Sequence, residues 1–97
     1  MLHKNRIRKR IIASLLASLQ SIKDKEGFES IVDHVRCELL DLQYYEIISQ
    51  EERYNIADKF YGILDLSEIT NENLMKFSGD CFKILKIRGN NPWKKKQ

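Results

Sequence analysis

Acidic residues are missing from both ends of this chain. None precedes Asp24 and none follows Asp80, so all 14 Asp and Glu lie in the middle. Residues 1–23 carry six Lys and Arg and residues 81–97 carry six more, whereas the span between sets 14 acids against five cations. The net charge of +3 thus hides two ends of +6 and a middle of −9. Such a field decides which partners approach and how fast, and says little about fold.

Other shortages exclude whole classes. Two cysteines in 97 residues cannot build a secreted disulfide framework, so a reducing, cytoplasmic setting is expected. One proline, Pro92, and four glycines leave long stretches without breakers. Turn dipeptides between short alternating segments are also missing, which argues against strands. No apolar run is long enough to cross a bilayer. Gly-rich phosphate loops, nucleophile elbows and HExxH are missing too, so no catalytic, cofactor or metal role is assigned and no enzyme is expected. His34 and Cys37 form an H-x-x-C pair, yet one His and one Cys supply only half of a tetrahedral zinc set.

What is present is helical. Ile11, Leu15, Leu19 and Ile22, widened by Ile12 and Leu16, predict a first helix over Asn5 to Lys23. Its basic, acid-free start also imitates an organellar presequence, but the apolar spacing continues unbroken to Ile22. Upstream, the same line meets Arg8 and Lys4, so the first ten residues are expected to project beyond the core. Asp24 is a candidate cap for the second helix, which follows Phe28, Ile31, Val32, Val35, Leu39 and Leu42 and ends near Gln43 to Tyr45. Tyr44, Tyr45, Ile47 and Ile48 then form an apolar corner. Ser49 to Glu52 is a capping box that starts a third helix, whose Tyr54, Ile56, Ala57, Phe60, Tyr61, Ile63 and Leu64 occupy about half its circumference. Thr70 caps a fourth helix, with Leu74, Phe77, Cys81 and Leu85 inward, and Gly89 before Asn90-Asn91-Pro92 is its expected terminator.

Four helices joined by short connections predict one all-α domain over residues 1–97, an antiparallel up-down-up-down four-helix bundle, with residues 90–97 as a basic tail. Three long helices are the second choice. In the bundle both basic ends fall at one pole and the second and third helices supply an acidic flank.

Two functional readings follow. In the first, the chain is a non-enzymatic interaction module, such as an inhibitor or immunity-type protein, that captures a basic protein, for example a nuclease toxin. Glu38, Asp41, Glu51 and Glu52 would steer the encounter, and Tyr44 and Tyr45 would anchor it. In the second, Arg6, Arg8, Lys9 and Arg10, with Trp93, Lys94, Lys95 and Lys96, contact nucleic acid through phosphate neutralisation and stacking. A peripheral anionic membrane is a third kind of partner for the same basic pole. Charge on the outer faces of amphipathic helices is also ordinary solvation, and two tyrosines at a corner could simply close a core.

Overall fold

The computed structural model describes residues 2–23, 28–66 and 68–87, with side chains from Arg6 onward. Among these residues every regular element is helical: α1 (Leu2–Lys23), α2 (Phe28–Tyr44), α3 (Gln50–Leu64) and α4 (Asn71–Ile84). Each helix touches its neighbours in sequence, and α1 also packs on α4, which closes a ring of four. The radius of gyration, 12.9 Å, is close to the ~12.5 Å of a compact domain of this length. Among the described residues no helix is long and apolar enough to cross a membrane.

The apolar spacings place the core. Ile12, Leu15 and Leu19 of α1 are fully buried, as the i, i+3/i+4 line requires, and Val35 and Leu39 meet them from α2. Ile56, Phe60 and Ile63 are the buried line of α3. Phe60 meets Phe77 of α4 edge-on, with ring centroids 6.3 Å apart. Burying a side chain of this size contributes about 2 kcal/mol.

Capping sets the helix starts. Ser49 Oγ accepts from Glu52 N at 3.0 Å and Ser49 N donates to Glu52 Oε1 at 2.8 Å, the reciprocal box expected from the sequence. Thr70 opens α4 the same way, with Asn73 as the second member.

The ends differ from expectation. α1 starts at Leu2 rather than Asn5. α4 stops at Ile84, and the residue in the left-handed region is Lys86, φ 55°, not Gly89, which lies outside the described residues. Ile87 N bonds Phe82 O at 3.0 Å and Lys86 N bonds Lys83 O at 3.2 Å, a Schellman stop made without glycine. The stop of α2 is built identically: Glu46 has φ 61°, Ile47 N bonds Leu42 O at 2.9 Å and Glu46 N bonds Gln43 O at 3.0 Å.

Arg8 departs most from its reading. It does not project. Its position on the apolar line carries the guanidinium to where two helices end, at the carbonyl of Leu85, the α4 cap residue, and that of Ile47, three residues past α2. Arg8 Nη1 donates to Leu85 O at 2.6 Å, Nε and Nη2 donate to Ile47 O at 3.4 and 3.3 Å, and Nη2 lies 3.6 Å from Glu52 Oε1. One side chain thus ties the start of α1 to the end of α2, the start of α3 and the end of α4. At the far end of α1, Lys23 Nζ donates to Asn71 Oδ1 of α4 at 3.4 Å. The side chain of Lys4, and Asp24, lie outside what the structure describes.

Candidate protein-binding face

Helix α2 ends in solvent, on aromatic rings. Tyr44 is its last residue and Tyr45 the next, and they are 79% and 70% exposed. Their rings meet edge-on with centroids 5.1 Å apart, so each restrains the other. They do not close the core: Ile48 does that, at 2% exposure, with Ile47 half-buried beside it. Tyr45 N donates to Asp41 O at 2.9 Å, and the left-handed step at Glu46 turns the chain back. Both rings therefore stand on a fixed backbone corner.

Acidic groups surround this corner. Asp41 is exposed one turn before the rings, and Glu46 and Glu51 are exposed after them. The last turn of α2 holds no basic residue, so Asp41 faces the negative end of its own helix, which costs a few tenths of a kcal/mol. Glu51, in contrast, favours the N-terminal dipole of α3.

The six sequence-selected residues therefore separate. Asp41, Tyr44, Tyr45 and Glu51 face solvent. Glu52 is committed to Ser49 and Arg8, with a side chain only 17% exposed. Glu38 is half-buried and turned to α1, its two carboxylate oxygens each 3.4 Å from Ser14 Oγ. Between the end of α2 and the start of α3 lies an open depression of ≈ 390 Å³, lined by Gln43, Glu46, Ser49, Gln50 and Glu52 and by Arg8 from α1.

Tyr54 was missed. It is 54% exposed, receives a hydrogen bond on its hydroxyl from Gln50 Nε2 at 2.9 Å, and has the Arg53 guanidinium 4.5 Å above its ring. Arg53 Nε in turn donates to Gln43 Oε1 of α2, which joins the two helices beneath this ring. The helical wheel could have found it, because two residues before Ile56 is the opposite face. Tyr61 and Phe28, also assigned inward from the sequence, are 42% and 51% exposed. Leu40, one turn before Tyr44 and 46% exposed, extends the apolar part of the face along α2.

The remaining candidates sit elsewhere. Arg6 and Arg10 are exposed and Lys9 half-exposed on α1, and Arg8 is engaged as above. Trp93, Lys94, Lys95 and Lys96 lie outside the described residues. His34 and Cys37 are exposed on α2, and among the described residues no three His, Cys, Asp or Glu gather as a metal site. Cys81 is fully buried, and burial, with a smaller push from the Asp80 charge, raises its thiol from 9.0 to about 12. It stays protonated and unreactive at neutral pH. No family model, no curated protein and no solved structure matches this chain.

Proposed function

We propose that this chain is a non-enzymatic interaction protein of inhibitor or immunity type, which holds a basic protein through the α2–α3 face. The observation that carries the reading is the exposed, mutually braced pair Tyr44 and Tyr45 among the carboxylates of Asp41, Glu46 and Glu51. Rigid aromatic rings contribute contact area at low entropic cost, and a carboxylate rim accelerates docking of a cationic surface. Tyr54 and Leu40 widen the anchor. We assign the helices an up-down-up-down bundle, supported by Arg8 linking the start of α1 to the ends of α2 and α4, and place the chain in a reducing, cytoplasmic compartment.

The test is copurification from the native host. A stoichiometric basic partner should be retained by the parent chain and released by Tyr45→Ala combined with Asp41→Lys. These substitutions spare Glu52, whose loss would also damage the α3 cap. Anchors of this kind are worth about 2 kcal/mol, so Tyr45→Ala alone should weaken binding roughly thirtyfold. A bare monomer under gentle lysis, or retention unaffected by both substitutions, would sink the reading.

A further inference from the structure

The opposite side of the ring has different chemistry. Between α1 and α4 runs a trough of ≈ 370 Å³ lined by Ala13, Leu16, Ala17 and Gln20 of α1 and Asn71, Leu74 and Met75 of α4. Its walls are apolar except for Gln20 and Asn71, and they are not closed: Ala13 and Ala17 are exposed, and Leu16 and Met75 are half-buried. Helical spacing continues the α1 wall into charge. Lys9 lies one turn before Ala13 and Arg6 two turns before it, on the same side of the helix. The Arg8–Leu85 hydrogen bond brings this end of α1 to the end of α4, where Lys83 and Lys86 are exposed.

Among the described residues Arg6, Lys9, Arg10, Lys83 and Lys86 form no ion pair, and α1 contains no acid at all. Of the two acids on α4, Asp80 lies 3.9 Å from Lys59 of α3, and Glu72 is in the first turn, at the far end of the trough.

We propose that the α1–α4 trough is a second docking surface, and that its occupant is an acidic amphipathic helix of a partner protein. The concave apolar floor takes a row of i, i+3/i+4 side chains, and the unpaired cations at one end take the carboxylates flanking that row. A nucleic-acid backbone needs the cations but has no use for the floor. An anionic bilayer needs an apolar face that can enter it, whereas here the apolar atoms line a recess. The molecule is then two-faced, holding a basic surface on one side and an acidic helix on the other.

A fluorescein-labelled synthetic peptide of about 18 residues, with leucines at helical spacing and glutamates elsewhere, provides the probe. Its anisotropy against the full chain at about 50 mM salt should saturate in the micromolar range. Ala17→Trp fills the trough from an exposed position, and Arg6→Glu with Lys9→Glu reverses the two cations in line with its α1 wall. Each should weaken binding at least about tenfold while the circular dichroism spectrum is unchanged. Asp41→Lys with Tyr45→Ala should leave this affinity as it was, which separates the trough from the α2–α3 face. Absence of binding, equal binding of the lysine-for-glutamate peptide, or indifference to Ala17→Trp would overturn the proposal. So would tighter binding of an oligonucleotide or of phosphatidylserine vesicles that also ignores Ala17→Trp, because the cations would then serve a polyanion alone.

Discussion

The ends of α2 and α4 are one device used twice. Each stops in a Schellman motif with a charged residue at positive φ, Glu46 in one and Lys86 in the other, followed by an isoleucine. Each presents a carbonyl to Arg8. They differ at the two positions before the left-handed step. In α4 these are Ile84, half-buried, and Leu85, fully buried. In α2 they are Tyr44 and Tyr45, both in solvent. In α4 the motif buries one of these positions and half-buries the other, so stopping the helix does not by itself require exposed rings. Their exposure is particular to α2, and it is the feature on which the proposed recognition surface rests.

Breaking both ends together should have the largest effect. Arg8→Met keeps the aliphatic stem, leaves the Ile47 and Leu85 carbonyls without this donor, and removes the charge 3.6 Å from Glu52, which keeps its hydrogen bond from Ser49 N. Unmet buried acceptors cost about 1–3 kcal/mol each, so a loss of about 3 kcal/mol is expected, seen as a fall of roughly 15 °C in Tm. Arg8→Lys should recover only part, because an ammonium lacks the planar fork that spans both carbonyls. A loss below about 1 kcal/mol for Arg8→Met would show that the ends hold without it.

A second experiment strains one end alone. Cys81, whose carbonyl accepts from Leu85 N at 2.9 Å, sits in the last full turn of α4. Its thiol ionises near 9.0 when unfolded and near 12 when folded, so above pH 9 the unfolded chain binds fewer protons. Its contribution is therefore complete below pH 9 and is lost as pH rises toward 12. Urea midpoints measured from pH 8 to 11 should fall more steeply for the parent chain than for Cys81→Ala. Parallel curves would mean the thiol is already accessible.

The smallest effect sharpens the likeness. Glu46→Gly and Lys86→Gly each relieve a side chain held at positive φ and should each stabilise by about 0.5–1 kcal/mol. Equal gains would confirm that the two stops are energetically alike. A loss at Glu46 alone would show that its side chain contributes to the corner.

The sequence revealed what local chemistry decides. Ser49 and Thr70 were readable because a capping side chain and its partner lie three residues apart. The buried lines of α1 and α4 were readable because 3.6-residue spacing leaves little choice of face, whereas α3 was read too wide, with Tyr54 and Tyr61 taken as inward. Long-range pairing hid the rest. Arg8 broke an apolar line, and nothing within one turn disclosed that its partners are at Ile47, Glu52 and Leu85. Gly89 was the expected terminator because glycine adopts positive φ freely, whereas the chain makes that turn three residues earlier at Lys86. Of the candidate face, Tyr44, Tyr45, Asp41 and Glu51 were recognisable by type and position. Glu52 and Glu38 were not, because a carboxylate turned to solvent and one engaged by its own fold look the same in one dimension.

The reach of Arg8 has a kinetic meaning. Its hydrogen bonds join residues 39 and 77 positions apart along the chain. They can form only once α1 has met the finished ends of both α2 and α4. Contacts closing such long loops tend to come late, after the transition state has buried most of the apolar surface. Stability held in contacts that form this late slows unfolding without hastening folding, so Arg8→Met is expected to raise the unfolding rate and leave the folding rate nearly unchanged, which stopped-flow chevrons measure.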